Sequence, residues 1–293
     1  MIILDYSQTI ISNLMAELGG RKDIELEVPL LRHMVLNSIR SHYNKFKREY
    51  GELVIACDNK KYWRKEFFPY YKAHRKKARE ESGYDWNVIF EAINQLKKEL
   101  KEIFPYRVIE VNGAEADDII ATLCKWSQTN GLVQEGLVEV PQKVLIISGD
   151  HDFFQLQKYK NVEQFSPAKK KFIVESNPDK MLLEHIFKGD KGDGIPNVLS
   201  ADDVIIGEER QKPLSTKKMT QWIDDPQSMP SDSTFLRNLD RNRTLIDLSK
   251  IPEHIEKEIL NTFTNYHVND KSKILNYFIE NRMKLMIEHI EEF

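Results

Sequence analysis

The chain has 293 residues, 41% of them hydrophobic and 30% charged, with a formal net charge of -3. That is one large α/β domain with additions, or two average domains, and it excludes global disorder. No apolar run is long enough to span a membrane. Asp5 cuts the apolar start at once with no basic stretch ahead of it, so no secretory signal is expected. Cys57 and Cys124 are too few for a disulfide framework or a Cys-rich zinc site, which fits a reducing cytoplasm.

Short β-branched runs alternate with amphipathic runs over the first part of the chain. Residues 1–4 read as a buried strand. Residues 7–18 follow as a helix, with Ile10, Ile11, Leu14, Met15 and Leu18 on one stripe. A helix over 31–47 carries Leu31, Met34, Val35, Ile39, Tyr43 and Phe46, and 53–57 is the next strand. A helix over 85–104 (Ile89, Ile93, Leu96, Leu100, Ile103) leads to strands at 107–111 and 143–148. Residues 161–165 and 171–175, joined by Ser166-Pro167-Ala168-Lys169, read as a hairpin at the sheet edge. This alternation predicts a mostly parallel sheet with helices on both faces. From about residue 178 the strand signals stop. Residues 252–264 and 270–292 read as helices, and 199–235 as turn-rich, with Asp225-Pro226 and Met229-Pro230. The expected division is an α/β domain over 1–177 and a helical domain over 178–293.

Acids stand at the ends of four predicted strands. Asp5 follows the first and Asp58 the second. Glu115, Asp117 and Asp118 open a helix past the third, and Asp150 and Asp152 follow the fourth. Asp190 and Asp193 lie in a Gly-rich turn further on. One Asp after a strand is ordinarily a helix cap or turn residue. In a parallel sheet, however, the carboxyl ends of the strands share one edge, where ligands bind. Crowded carboxylates repel unless cations neutralise them, and hard divalent ions take oxygen ligands. Without a Cys or His cluster, zinc is disfavoured and Mg²⁺ favoured, with Mn²⁺ as a substitute. Two such ions suit phosphodiester hydrolysis.

The charge is segregated. Residues 60–79 hold nine basic residues and one acid, a net +8, which leaves -11 on the remainder. Tyr62, Trp63, Phe67, Phe68, Tyr70 and Tyr71 are interleaved with these cations, a mix that suits phosphates and unpaired bases. Pro69 breaks any continuous helix there. The competing reading is a solvated face whose aromatics belong to the core. The stretch begins directly after Asp58, beside the acids, which favours the nucleic-acid reading.

The segments around Asp5, Cys57-Asp58-Asn59, Trp63 to Arg75, Glu115 to Asp118, Ser148 to Phe153 and Gly189 to Asp193, in this order, resemble the 5′-nuclease or flap endonuclease family. That family includes the exonuclease domain of bacterial DNA polymerase I and the ribonucleases H of T-even-type bacteriophages. The resemblance implies a PIN-like α/β domain and a helical arch at about 60–84 over the active site. It also implies a C-terminal helical domain with a helix–two-turn–helix region that binds duplex. It implies two Mg²⁺ ions. One would be held by acids matching Asp5, Asp58, Asp117 and Asp150 with Glu115 close by, and the other by Asp152, Asp190 and Asp193. Asp118 would act through water. Lys72 and Arg64 would act on the scissile phosphate, with Arg75, Lys76, Lys77 and Arg79 along the 5′ strand. The chain departs from the family pattern after Asp193, where Ser215, Thr216, Lys217 and Lys218 could instead contact duplex phosphate at a helix start.

The expected activity is a 5′–3′ exonuclease and flap endonuclease with RNase H activity, removing primers from lagging-strand fragments. DNA and RNA–DNA hybrids with a 5′ end or flap are the expected substrates. A single-stranded-DNA-binding protein and a clamp or helicase loader are the expected partners, with the chain a monomer in the host cytoplasm. The rivals are a haloacid-dehalogenase-type phosphatase, a PIN-type ribonuclease on folded RNA, and a catalytically dead nucleic-acid-binding scaffold. The phosphatase wants a second Asp where Ser7 stands. The basic stretch and helical C-terminal half oppose the PIN ribonuclease, and the full set of acids opposes the scaffold.

Overall fold

Ile2–Asp5 (β1) is buried on both faces. Its period-two alternation sends Ile2 and Leu4 into one core and Met1 and Ile3 into another. Such a strand needs partners on both edges. In chain order the other strands are Leu53–Ala56 (β2), Arg107–Ile109 (β3), Leu132–Glu135 (β4), Val138–Pro141 (β5), Val144–Ile147 (β6), Val162–Ser166 (β7) and Lys171–Phe172 (β8). The computed structural model describes residues 1–19 and 26–293. Among these, the main sheet runs β3-β2-β1-β6-β7-β8, parallel except for β8. The chain leaves β1 toward β2 on one side and later returns to β6 on the other. The sheet therefore switches direction between β1 and β6, which opens a crevice at their carboxyl ends.

Helices cover both faces. Tyr6–Leu18 (α1), Val28–Tyr50 (α2) and Trp86–Ile103 (α5) bury Ile10, Leu14, Val35, Ile39, Ile89 and Leu96 against the first face. The side chain of Leu18, expected on that stripe, lies outside the described residues. Ala116–Trp126 (α6) buries Ile119, Ile120 and Leu123 against the second face. The hairpin β4–β5 was not anticipated. Its strands are exposed, so burial leaves no apolar run to read. Gly136, at φ +65°, opens its two-residue turn as a II′ turn requires. At the sheet edge β8 stops at Phe172, short of the expected residue 175.

The C-terminal helices return to the sheet. Glu253–Thr264 (α10) packs Ile255, Ile259 and Phe263 on the second face. The stretch expected as one helix over 270–292 is broken into Ile274–Glu280 (α11), Lys284–Ile287 (α12) and a 3-10 turn at Ile290–Glu292. Arg282, at φ +55°, closes α11, and Met283 N–H donates to Phe278 O at 2.8 Å. The tail therefore packs rather than projects. Phe293 is 2% exposed and joins Phe104 and Phe278 in the first core.

A third core crosses the 177/178 boundary. Pro178–Lys188 (α7), Thr216–Asp224 (α8) and Ser233–Ile246 (α9) enclose Phe187, Trp222 and Phe235, and Phe68 and Tyr71 join from the basic stretch. That stretch is two short helices, Trp63–Phe67 (α3) and His74–Ser82 (α4), separated at Pro69 as expected. Its aromatics divide. Trp63, Phe68 and Tyr71 are buried, while Phe67 and Tyr70 are exposed. No helix among the described residues is long and apolar enough to cross a membrane.

Candidate metal centre

The crevice at the β1/β6 switch has a volume of about 350 Å³ and is lined by seven carboxylates: Asp5, Asp58, Asp117, Asp150, Asp152, Asp190 and Asp193. Lys72 and Arg75 line it from the basic stretch. Each acid is aimed by its local structure. Asp5 ends β1 and caps α1, accepting from Gln8 N–H at 3.0 Å and from Ser148 Oγ–H at 3.1 Å. Asp58 accepts from Ala116 N–H at 2.8 Å and from the hydroxyl of Ser7. Asp150 caps the 3-10 helix His151–Lys158, which carries Asp152 in its first turn. Asp190 and Asp193 share a tight loop in which Asp193 N–H donates to Asp190 Oδ1 at 3.0 Å. Gly189 is obligatory in that loop, because a Cβ would lie 2.3 Å from Ile195 O.

The crevice acids are electrostatically linked, with Asp150 acting on Asp5, Asp117 and Asp152 alike. Burial pushes the Asp5 carboxyl up to about 7, against the Gln8 hydrogen bond, and the charges of Asp58 and Asp150 add to the rise. Burial also raises Asp117 far above the usual range, opposed by Lys72 and reinforced by Asp150. Asp152 is raised by burial and by Asp150, with Asp193 and Asp190 adding to it and His185 opposing. These groups repel one another as carboxylates and are suited to hard cations with oxygen ligands. The donor chemistry fits that ion class, since the lining acids offer oxygen and neither buried cysteine lines the crevice.

Glu115 and Asp118 lie behind this wall rather than on it. Glu115 is 2% exposed and accepts from Lys72 Nζ at 2.6 Å and Arg64 Nη1 at 2.9 Å, and the Tyr71 hydroxyl lies between it, at 3.1 Å, and Asp193 Oδ2, at 2.7 Å. Asp118 is fully buried at the third position of α6, where its carboxylate accepts from Glu115 N–H and Trp63 Nε1 and pairs with Arg64 at 2.8 Å. This corrects the expectation that Asp118 acts through water at an ion, because its carboxylate is used up inside the protein. Arg64 is corrected likewise. It is 2% exposed, its Nε donates to Leu245 O at 2.9 Å, and its guanidinium spans Glu115 and Asp118. It braces the wall from behind and borders a small cavity beside Asp117, Asp152, Asp190 and Asp193 rather than the open crevice.

Lys72 does reach the crevice. It adopts φ +55°, a left-handed conformation that costs a non-glycine residue free energy, with its N–H bonded to Asp193 O at 2.8 Å. Gly194, directly beneath, gives the room, since a Cβ there would lie 3.0 Å from Tyr70 O. Arg75 pairs with Asp193 at 2.6 Å. Lys76 is exposed and Arg79 half-buried further along α4, whereas Lys77 is paired with Glu208. Ser215, Thr216, Lys217 and Lys218 lie exposed at the start of α8, apart from the crevice lining. The supporting residues Ser7, Gln8, Tyr71, Ser148 and His185 were not anticipated. They are ordinary polar residues whose role exists only once the strands are assembled.

The N-terminal 5′-3′ exonuclease resolvase-like domain model matches residues 28–184, and the C-terminal model of T4 RNase H matches residues 176–293. Ribonuclease H of Enterobacteria phage T4 is 34% identical over 99% of this chain and 95% of its own length. The chain belongs to the 5′–3′ exonuclease family. Its structural neighbours include T5 5′-exonuclease with zinc ions bound, which has a TM-score of 0.61 and 17% identity over 90% of this chain and 98% of that one. Bacteriophage T5 flap endonuclease, in a pseudo-enzyme–product complex with DNA and metal ions, superposes with a TM-score of 0.58 and 16% identity over 90% and 99%. The family makes this protein a nuclease, a phosphodiester hydrolase, and the acid-lined crevice is its candidate centre.

Proposed function

We propose that this protein is a Mg²⁺-dependent 5′–3′ exonuclease and flap endonuclease with RNase H activity, removing RNA primers and adjacent DNA from lagging-strand fragments. The carrying observation is the crevice itself, seven carboxylates faced by Lys72 and Arg75 on one sheet edge. Asp5, Asp58, Asp117 and Asp150 would hold one ion, and Asp152, Asp190 and Asp193 the other, with Mn²⁺ as a substitute. When bound, such ions supply activation of water and neutralisation of phosphate charge.

The chain's own residues do the rest. Lys72 would follow charge onto the scissile phosphate once cations relieve it of the carboxylates. Glu115, braced by Arg64 and Tyr71, would set the height of the Lys72 ammonium over the crevice. Arg75, Lys76 and Arg79 would carry the 5′ strand along α4. The 178–293 segment, where the resemblance implies a helix–two-turn–helix-like region, would with the start of α8 hold downstream duplex by its backbone, selecting structure rather than sequence.

The test is a gel assay on a 5′-labelled flap substrate with and without Mg²⁺, beside Asp150→Asn. Mg²⁺-dependent cutting that the variant loses while still binding the junction is the expected result. Cutting by the variant at the wild-type rate would overturn the metal role. Tight junction binding without cutting by the wild type would overturn the enzymatic reading.

A further inference from the structure

His185 stands among carboxylates where an all-oxygen ion site has no use for it. It lies in the last turn of α7, whose start is fixed by the Asn177 cap, and α7 packs against the 3-10 helix that carries Asp152. Its ring is half-buried between two of the acids proposed above for the second ion. Nε2 is 3.2 Å from Asp190 Oδ2 and Nδ1 is 3.4 Å from Asp152 Oδ1. One ligand atom from each of Asp152, His185 and Asp190 lies within 4.8 Å of the other two. Ligands at about 2.1 Å from a common ion sit roughly 3.0 Å apart when adjacent, so either ring nitrogen and the carboxylate oxygen beside it have nearly the spacing of two ligands of one ion, and one of the two nitrogens can take that place. The remaining oxygen of Asp190 is already held by Asp193 N–H, which turns Oδ2 toward the ring.

We propose that His185 is a nitrogen ligand of the second divalent-ion site, beside Asp152 and Asp190, and that it biases this site toward Mn²⁺ over Mg²⁺. The proposal rests on the metal-dependent reading above and extends it. Imidazole nitrogen binds Mn²⁺ less strongly than Co²⁺ or Zn²⁺ but more strongly than Mg²⁺, which keeps to oxygen. The ring has a nitrogen for each task. One can bind the ion while the other donates to the second carboxylate, which is how metal-binding histidines are commonly oriented. The set proposed for the first ion, Asp5, Asp58, Asp117 and Asp150, offers oxygen alone. The two halves of the crevice would therefore differ in ion preference.

The experiment is pulsed electron paramagnetic resonance on the full-length protein with Mn²⁺ and no DNA. Calorimetric titrations of Mn²⁺ and Mg²⁺ accompany it, for wild type and His185→Gln. The expected result is nitrogen coupling to Mn²⁺ in the wild type that His185→Gln abolishes. The variant should also lose on the order of 10- to 100-fold in Mn²⁺ affinity at one site, with Mg²⁺ affinity changing little. The wild-type spectrum does not depend on how the variant folds. Bound Mn²⁺ without nitrogen coupling, coupling that survives in His185→Gln, or an equal loss for both metals would overturn the proposal and leave the nuclease reading standing. No binding of either ion anywhere would overturn both.

Discussion

Lys72 and Glu115 form an ion pair of 2.6 Å in which the lysine sits at the mouth of the crevice and the glutamate lies behind it. Asp193 and Glu115 hold the ammonium well above the ordinary lysine range, although burial works against it. Lys72 is thus a fixed positive charge whose partners are the residues that cations and phosphate would compete for. Lys72→Ala should lower the single-turnover cleavage rate by about 100-fold, the usual loss for one preorganised transition-state donor. Binding of the flap junction should change much less. A single-turnover rate at the wild-type level would remove Lys72 from the chemistry.

Arg64 should respond differently. Its guanidinium satisfies Glu115, Asp118 and a backbone carbonyl in a fully buried position. Arg64→Ala would leave buried Asp118 without its countercharge and Glu115 with Lys72 alone, and should cost about 3–5 kcal/mol in urea unfolding. Arg64→Lys should recover little, because an ammonium cannot reproduce the planar fork that spans both acids. Unfolding free energies within about 0.5 kcal/mol of wild type would contradict this bracing role, since that is the range of inert surface changes.

The contrast between these two residues marks how far the sequence was legible. The parallel sheet could be read because β2 and β6 are continuous apolar runs, β1 is one up to Asp5, and β3 carries Val108 and Ile109 behind Arg107. The gathering of acids followed from their places at strand ends. Which acids face the crevice could not be read, because Glu115, Asp117 and Asp118 are neighbours in sequence that helix geometry points in different directions. Asp117 faces the cavity, while Asp118 turns inward to Trp63 and Arg64. Arg64 and Lys72 look alike as cations beside aromatics, and only the packing of Tyr71 and Trp63 separates a brace from a reagent. His185 was invisible for another reason: it reaches Asp152 only because α7 folds back against the 3-10 helix.

The raised Asp5 carboxyl gives a pH dependence with a definite sign. Its folded value is about 7 against an ordinary 3.8. Between those values the folded chain holds a proton that the unfolded chain has lost, so this group's stabilising effect is present below about pH 4 and is lost as pH rises through 7. In EDTA, unfolding free energy should therefore fall from pH 5 to pH 8 more steeply for wild type than for Asp5→Asn. Mg²⁺ should offset the fall by favouring the deprotonated carboxylate, with proton release visible in buffers of different ionisation enthalpy. A difference between wild type and Asp5→Asn that stays constant across that range would show that Asp5 does not titrate there.

The start of α8 is separable from the crevice, and so is its predicted effect. Ser215 caps the helix by accepting from Lys218 N–H at 3.3 Å, and Lys217 and Lys218 are exposed beside it. The Lys218 ammonium lies 5.2 Å over the Trp222 ring, which orients it without neutralising its charge. If this helix start meets duplex phosphate, replacing both lysines with alanine should remove two phosphate contacts. The slope of log affinity against log salt should then become shallower by about 0.9 per lysine lost. Single-turnover cleavage at saturating enzyme should stay near the wild-type rate, because neither lysine lines the crevice. An unchanged salt slope on a substrate with at least a full turn of downstream duplex would place the duplex elsewhere, and the exposed Lys76 on α4 would then be the next cation to replace.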